Sequence, residues 1–115
     1  MNTVLAIDIG GTFTKIGVVD KKGEILGSKV FGTRSKEPFA DFLKELVLNI
    51  NELIALAGTD NKPIAIGIGA PNANSLTGNI ENPPNLNWGK ETPIAAEISK
   101  TYNLPVYIAN DANAS

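Results

Sequence analysis

Two chemically versatile side chains are missing from this chain of 115 residues, which contains no cysteine and no histidine. Their absence excludes disulfides, cysteine–histidine zinc sites, thiol catalysis and any catalytic triad that needs an imidazole. Chemistry performed by these residues must therefore use carboxylates, amides, hydroxyls and the backbone.

The chain also lacks a surplus of positive charge, since Lys and Arg number 10 against 12 Asp and Glu, for a net charge of -2. Without a basic patch there is little counterion release to drive nucleic-acid binding, and we expect no nucleic-acid partner. No stretch approaches the roughly 20 apolar residues of a membrane span. The first residues carry no basic region, and Asp8 interrupts their apolar run, so a secretory signal is not expected. These absences predict a cytoplasmic protein with no membrane partner.

The composition is otherwise that of a folded domain. Apolar residues make up 43% and charged residues 19% of the chain, close to the average for globular proteins. The length suits one compact domain with its own core but is small for an enzyme with two substrates. We therefore treat residues 1–115 as one domain.

The first third of the chain predicts an antiparallel meander of three strands. Apolar, β-branched runs occupy 3–9, 13–19 and 24–31, and Gly10-Gly11 ends the first of them. Asp20 and Gly23 stand at the first and last positions of a type I turn between the second and third strands.

The remainder predicts alternating helices and strands. A three-to-four-residue apolar period over 38–57 predicts an amphipathic helix, with Pro38 in its first turn and Gly58 as a left-handed C-cap. Further elements are a central strand covered on both faces at 63–70, a long loop at 71–90, a helix at 93–102 capped by Thr92, and a buried strand at 105–109. The predicted order is βββαβαβ.

One group of candidate functional residues lies at the end of the first strand and directly after it. Asp8 ends an apolar run, and Gly10, Gly11 and Thr12 come next. Two glycines let backbone amides approach a phosphate closely, Thr12 adds a hydroxyl, and Asp8 can face a magnesium ion directly or through water. A tight hairpin turn in which Asp8 bonds local amides explains the same residues, and both interpretations stay open.

A second group follows the last strand, where Asn110-Asp111-Ala112-Asn113 precedes helix-forming residues. Phosphoryl transfer to a sugar needs a base near the accepting hydroxyl, and one aspartate suffices. Plain N-capping is the commoner role of such residues.

A third group is the asparagine-rich loop, which includes Asn72, Asn85 and Trp88. Amides suit the dense hydroxyls of a sugar, although proline and asparagine are also ordinary turn residues. Lys15 is interpreted as a solvated strand residue.

Together the three groups resemble the ROK family (repressors, open reading frames and kinases). The resemblance spans the whole chain: 6–20 resembles the family's phosphate-binding opening, 67–88 its sugar loop and 108–115 its catalytic segment. The family's fold implies an α/β domain of ribonuclease-H-like, actin-like ATPase topology, with a mixed five-stranded sheet flanked by helices.

The resemblance also implies roles. Asp111 is then the base that accepts the sugar hydroxyl proton, Asn110, Asn72 and Asn85 bind the sugar, and Asp8 faces metal. Together with Asp8, the segment Gly10-Gly11-Thr12 binds ATP phosphate. The implied reaction is ATP- and Mg²⁺-dependent phosphorylation of a hexose or amino sugar. Asn72 departs from the family pattern, in which glycine often follows Ala-Pro, so a backbone contact to the sugar is altered or supplemented by the amide.

Family kinases continue into a second, C-terminal lobe that carries most of the adenosine site, further sugar ligands and a zinc site, and none of these is in this chain. We therefore expect the chain to be an N-terminal lobe that is inactive alone, with an exposed inter-lobe surface through which it could form a homo-oligomer.

Two other functions fit the resemblance: the sugar-sensing domain of a ROK transcriptional regulator, and another actin-like ATPase. Regulators carry a helix-turn-helix domain before the phosphate loop. Only seven residues precede Asp8 here, which favours the kinase.

Overall fold

Ten elements form the fold in the computed structural model, which describes residues 3–33, 37–58, 62–70, 73–74, 79–81 and 91–110. In chain order they are β1 (Thr3–Ile9), β2 (Phe13–Asp20), β3 (Ile25–Gly32), α1 (Phe39–Ala57), β4 (Pro63–Ala70), β5 (Ala73–Asn74), β6 (Asn79–Glu81), β7 (Glu91–Thr92), α2 (Ile94–Tyr102) and β8 (Val106–Asn110).

The main sheet has five strands in the order β3-β2-β1-β4-β8. β1, β2 and β3 pair antiparallel, whereas β4 pairs parallel with both β1 and β8. The predicted α/β fold with a mixed five-stranded sheet is confirmed. α1 lies in the connection from β3 to β4, and α2 lies in the connection from β4 to β8. The strands β4 and β8 are parallel neighbours, and a connection between such strands usually contains a helix.

The segment predicted as a loop at 71–90 contains strands. β5, β6 and β7 form a small antiparallel sheet of their own. Strands of two or three residues carry no readable alternation, because the period-two signal needs at least four residues. The prediction of a loop without strands is therefore wrong at 73–74 and 79–81.

A hydrogen-bonded turn joins β2 to β3, as predicted. The amide of Gly23 donates to the Asp20 carbonyl at 3.0 Å, and the Asp20 carboxylate accepts from the amides of Lys22 and Glu24 at 2.9 Å each. Gly23 has φ +87°, a conformation that side chains disfavour.

The core lies between one face of the main sheet and the two helices. Every second residue of β1 points into it, and α1 buries Phe42, Leu46, Ile50 and Leu53 at helical spacing. The buried apolar residues are Leu5, Ile7, Ile9, Ile16, Val18, Phe42, Leu46, Ile50, Leu53, Ile66, Ile68, Ala70, Ile94, Ile98 and Ile108.

The opposite sheet face, which we call the open face, is not covered by any described residue. It carries Val4, Ala6 and Asp8 of β1, and Tyr107, next to Gly67 of β4, is 68% exposed on it. The predictions that β4 is covered on both faces and that β8 is buried are therefore wrong for the described chain. Their apolar sequences indicated burial, but both helices pack on the same side.

The helix ends differ in detail from prediction. Pro38 lies at the N-cap of α1, just before its first turn, and Pro93, not Thr92, occupies the N-cap of α2 because Thr92 ends β7. Gly58 ends α1 with φ 94° and ψ 159°, which needs glycine but is not left-handed helical. Among the described residues, neither helix is long and apolar enough to cross a membrane.

Candidate functional site

The carboxyl ends of three parallel strands lie side by side at one edge of the main sheet. Asp8 of β1 pairs with Gly69 of β4, which pairs with Ala109 of β8. At the usual strand spacing, the backbones of Asp8 and Ala109 are about 10 Å apart. Ligands of open α/β sheets bind beyond such carboxyl ends, so this edge is the candidate site.

Asp8 and Lys15 lie directly opposite each other on β1 and β2. Both are exposed, and both line a groove of about 480 Å³ on the open face. Tyr107 and the small residues Gly69 and Ala109 line it too. The predicted metal-facing carboxylate is therefore accessible. Lys15, interpreted from sequence as merely solvated, brings an ammonium group to the same groove.

The chain turns sharply between β1 and β2. The amide of Gly10 donates to the carbonyl of Phe13 at 2.9 Å. A Cβ atom at position 10 would lie 2.8 Å from that same oxygen, closer than side chains tolerate. Gly10 is thus required by the close approach of the Phe13 backbone carbonyl. The sequence analysis attributed the glycine pair instead to the approach of a phosphate, which stays a prediction.

A buried threonine just after β3, Thr33, is hydrogen-bonded to this turn, and a second, Thr14 of β2, is hydrogen-bonded to Thr33. The Thr33 hydroxyl donates to the Gly10 carbonyl at 2.7 Å, and its amide donates to the Thr12 carbonyl at 2.9 Å. The Thr14 and Thr33 hydroxyls are 2.7 Å apart. Both side chains are fully buried. Sequence analysis missed both. Thr14 gave a readable signal, a hydroxyl at a core-facing position of an apolar strand, whereas Thr33 follows β3 and gave none.

The turn leaves donors for a ligand. Within the described part of the chain, the amides of Gly11 and Thr12 have no hydrogen-bond partner. Successive free amides at a glycine turn suit an anion, so the predicted phosphate loop fits a nucleotide phosphate. The loop is also a hydrogen-bonded turn, as the hairpin-turn interpretation requires. That interpretation gives no use to these two donors, and both interpretations stay open.

The site also fits magnesium in its usual form. The described chain contains no group of three or more acidic side chains placed to hold a metal ion. Mg²⁺ commonly keeps several waters and uses one or two carboxylates together with substrate phosphates. Asp8 beside a phosphate loop meets that description.

The remaining predicted site residues fall largely outside the described residues. Asn72, Asn85 and Asp111 lie there entirely. Asn110 ends β8, and its backbone pairs with Ala70 at the end of β4. The segment that carries Asn110 and Asp111 thus starts from the same sheet edge as the phosphate loop.

Comparison with known proteins adds independent information. The ROK family model matches residues 4–115. The chain is 32% identical to a glucokinase from Streptomyces coelicolor over 116 aligned residues, which is 100% of this chain and 34% of that protein.

Two solved structures are also similar to this chain. A ROK family glucokinase from Streptomyces griseus, in complex with glucose and AMPPNP, is 30% identical, with 97% of this chain and 34% of that one covered and a TM-score of 0.74. A ROK family transcriptional regulator, homologous to the E. coli MLC protein, is 26% identical over 98% of this chain and 28% of that one, with a TM-score of 0.85. The chain spans about a third of the length of these relatives.

Proposed function

The chain belongs to the ROK family, and on that premise we propose that residues 1–115 form the N-terminal lobe of an ATP-dependent sugar kinase. The complete protein would transfer the γ-phosphoryl group of ATP to a hydroxyl of a hexose or amino sugar. Its similarity to a glucokinase and to a glucokinase structure that holds glucose and AMPPNP supports this reaction class.

The observation that carries the proposal is the meeting of three strand ends at one sheet edge. A turn with two amides that have no partner among the described residues follows β1, and β8, two strands away, ends at Asn110, the residue before Asp111 in sequence. Phosphoryl transfer asks mainly for positioning of both reactants and for charge neutralisation. A nucleotide phosphate and a sugar hydroxyl bound at this edge would be neighbours.

In this mechanism Asp111 accepts the proton of the attacking sugar hydroxyl, whose oxygen forms the new bond to the γ-phosphorus while the bond to the ADP oxygen breaks. Asn110, Asn72 and Asn85 hold the sugar hydroxyls. The amides of Gly11 and Thr12 would donate to the phosphates, and Asp8 would hold Mg²⁺ directly or through water. The metal would supply neutralisation of the phosphate charge.

The rest of the proposal concerns what this chain does not contain. A C-terminal lobe would supply most of the adenosine contacts, further sugar ligands and the family's zinc site. The complete protein would work in the cytoplasm, without nucleic-acid or membrane partners. The 115-residue chain alone would be inactive.

The test is Asp111→Asn in the complete protein that carries this segment. An amide keeps the hydrogen-bonding shape but cannot take a proton, so kcat should fall roughly 10²- to 10⁴-fold while sugar affinity stays within a few-fold. The matched control is Glu24→Gln, which neutralises an exposed acid in the turn at the opposite end of the sheet. Turnover of Asp111→Asn within a few-fold of wild type would contradict the assignment of the base.

A second function is supported by the similarity to a ROK transcriptional regulator. In that case the same edge would sense a sugar without phosphorylating it. ADP release measured on a panel of hexoses and amino sugars separates the two: a regulator binds a sugar without sugar-stimulated turnover. Another actin-like ATPase would hydrolyse ATP with no response to any sugar.

A further inference from the structure

The two buried threonines are unusual in this core. Thr14 and Thr33 are completely buried among apolar side chains, 19 positions apart in sequence. A buried hydroxyl is stable only when it is hydrogen-bonded. What each hydroxyl bonds to therefore indicates why it is there.

The direction of the hydrogen bonds can be worked out. A carbonyl oxygen only accepts, so the single hydroxyl hydrogen of Thr33 points to the Gly10 oxygen, 2.7 Å away. The Thr14 hydroxyl must then donate to the Thr33 oxygen across 2.7 Å. Two bonds in one direction polarise each other and strengthen the final bond to Gly10.

The other contact of Thr33 fixes the far side of the same turn. Its amide donates to the Thr12 carbonyl at 2.9 Å. With Gly10 and Thr12 both held through their carbonyl oxygens, Gly11 lies between two anchored residues. The Gly10 carbonyl faces Thr33, so the Gly11 amide of the same peptide group points the opposite way. Among the described residues, the amides of Gly11 and Thr12 have no hydrogen-bond partner.

We propose that Thr33 and Thr14 form a clamp that presets the Gly10–Thr12 turn for phosphate, with Thr33 as a positioning residue for the nucleotide. The inference rests on the proposed function for the identity of the ligand, but the clamp itself acts before any ligand binds. It ties the phosphate turn to the end of β3, so that the amides need not be ordered when the nucleotide arrives.

The test compares Thr33→Val, Thr33→Ser and Thr14→Val in the complete protein. Valine keeps the volume but removes the hydroxyl, leaving the Gly10 carbonyl unsatisfied, whereas serine retains the donor. Thr3→Val is the control, because Thr3 is a similarly buried threonine at the other end of β1. Hydrogen exchange of the amides of Gly10 and Thr33 measures the turn without ligand, and steady-state kinetics measures the nucleotide.

Thr33→Val should speed exchange of both amides about tenfold and raise the KM for ATP by a similar factor, as loss of one buried hydrogen bond implies. The KM for sugar should change less than threefold. Thr14→Val should give a smaller effect of the same kind, and Thr33→Ser should restore near wild-type values. Since Thr14→Val leaves the Gly10 carbonyl bonded, it keeps the test decisive if Thr33→Val does not fold.

Two outcomes would overturn the clamp: unchanged exchange of the Gly10 and Thr33 amides in the valine variants, or an equal rise in Thr3→Val. Equal increases in the KM values for ATP and sugar would overturn its role for the nucleotide. Absence of sugar-stimulated turnover in the wild-type protein would instead contradict the proposed function, while exchange and the binding of AMPPNP still decide the clamp.

Discussion

At the scale of single residues, the turn between β1 and β2 shows which glycine the geometry demands. A Cβ at position 10 would lie 2.8 Å from the Phe13 carbonyl oxygen. This oxygen belongs to the backbone, which cannot move aside as the end of a flexible side chain can. Gly10 therefore lets β1 and β2 approach closely across the turn.

Gly10→Ala should push the turn open and weaken nucleotide binding by the complete protein by about tenfold, while sugar affinity changes less than threefold. Calorimetric titration with AMPPNP and with sugar measures both. Gly32→Ala is the matched control, since a Cβ there meets nothing within 4 Å. Equal weakening of both ligands by Gly10→Ala would indicate a general loss of structure instead.

Residue types in order along the chain were sufficient to predict a turn after β1, and its role in phosphate binding stays a prediction. Asp8, Gly10 and Thr12 are close in sequence, so a local pattern predicts their use. Thr33 was not found because only the pairing of β2 with β3, which sets Thr14 opposite Phe31, brings it beside Gly10. Contacts that depend on strand register cannot be read from local patterns.

At the scale of elements, α2 is attached to α1 through Tyr102. Its hydroxyl donates to the Asn51 amide oxygen at 3.0 Å and lies 3.4 Å from the Val47 carbonyl oxygen. Burial raises the pKa of Tyr102 to about 12, because the charged form loses solvation. The folded state thus holds the phenolic proton more tightly than the unfolded state, whose pKa is about 10.

The stabilisation from Tyr102 should be complete below pH 10 and should be lost as the pH rises through about 12. Relative to Tyr102→Phe, the wild-type free energy of unfolding should be higher by about 1 kcal/mol at pH 8. That difference should shrink by a similar amount above pH 10, a figure discounted because the side chain of Tyr102 is partly exposed. Denaturant titrations of the chain over pH 8–11.5 measure it.

The exposed ring of Tyr107 supplies the control for this experiment. Tyr107→Phe should change the free energy of unfolding at pH 8 less than Tyr102→Phe does, because its ring is exposed. A difference between wild type and Tyr102→Phe that stays constant up to pH 11.5 would contradict the assigned role of burial.

Elements with a strong hydrophobic period could be predicted from the sequence. The exposure of a strand could not, because it depends on which other elements pack against it. The spacing of Phe42, Leu46 and Ile50 predicted α1 to within one residue of its observed start. An amphipathic helix buries one face, so its apolar residues recur every three to four positions. The exposure of Tyr107 in β8 could not be read, since an apolar strand looks the same whether one or both faces are covered. Covering depends on where helices from elsewhere pack.

At the scale of the whole molecule, the described chain has a complete core on one side and an open sheet face on the other. The core of fifteen buried apolar residues joins both helices to the main sheet. Asp8, Lys15 and the groove lie on the open face, where no described residue closes over them. The described residues thus combine one apolar core with a sheet face that is exposed on the other side.

We accordingly predict that the 115-residue chain folds cooperatively but does not catalyse phosphoryl transfer. Burial between the helices and the sheet should give a single thermal unfolding transition, with a free energy of unfolding near the low end for small domains, about 5 kcal/mol. We expect no catalysis, because the rate of phosphoryl transfer depends on holding both reactants in line and on excluding water, and a one-sided edge does neither.

Calorimetry and an assay of ATP-dependent hexose phosphorylation on the purified chain test the two statements separately. The complete protein, assayed beside it, is the positive control for turnover. A gradual, non-cooperative melt would contradict the independent core. Sugar-stimulated ATP turnover that persists through further purification and disappears in Asp111→Asn would show that this lobe alone suffices for the reaction.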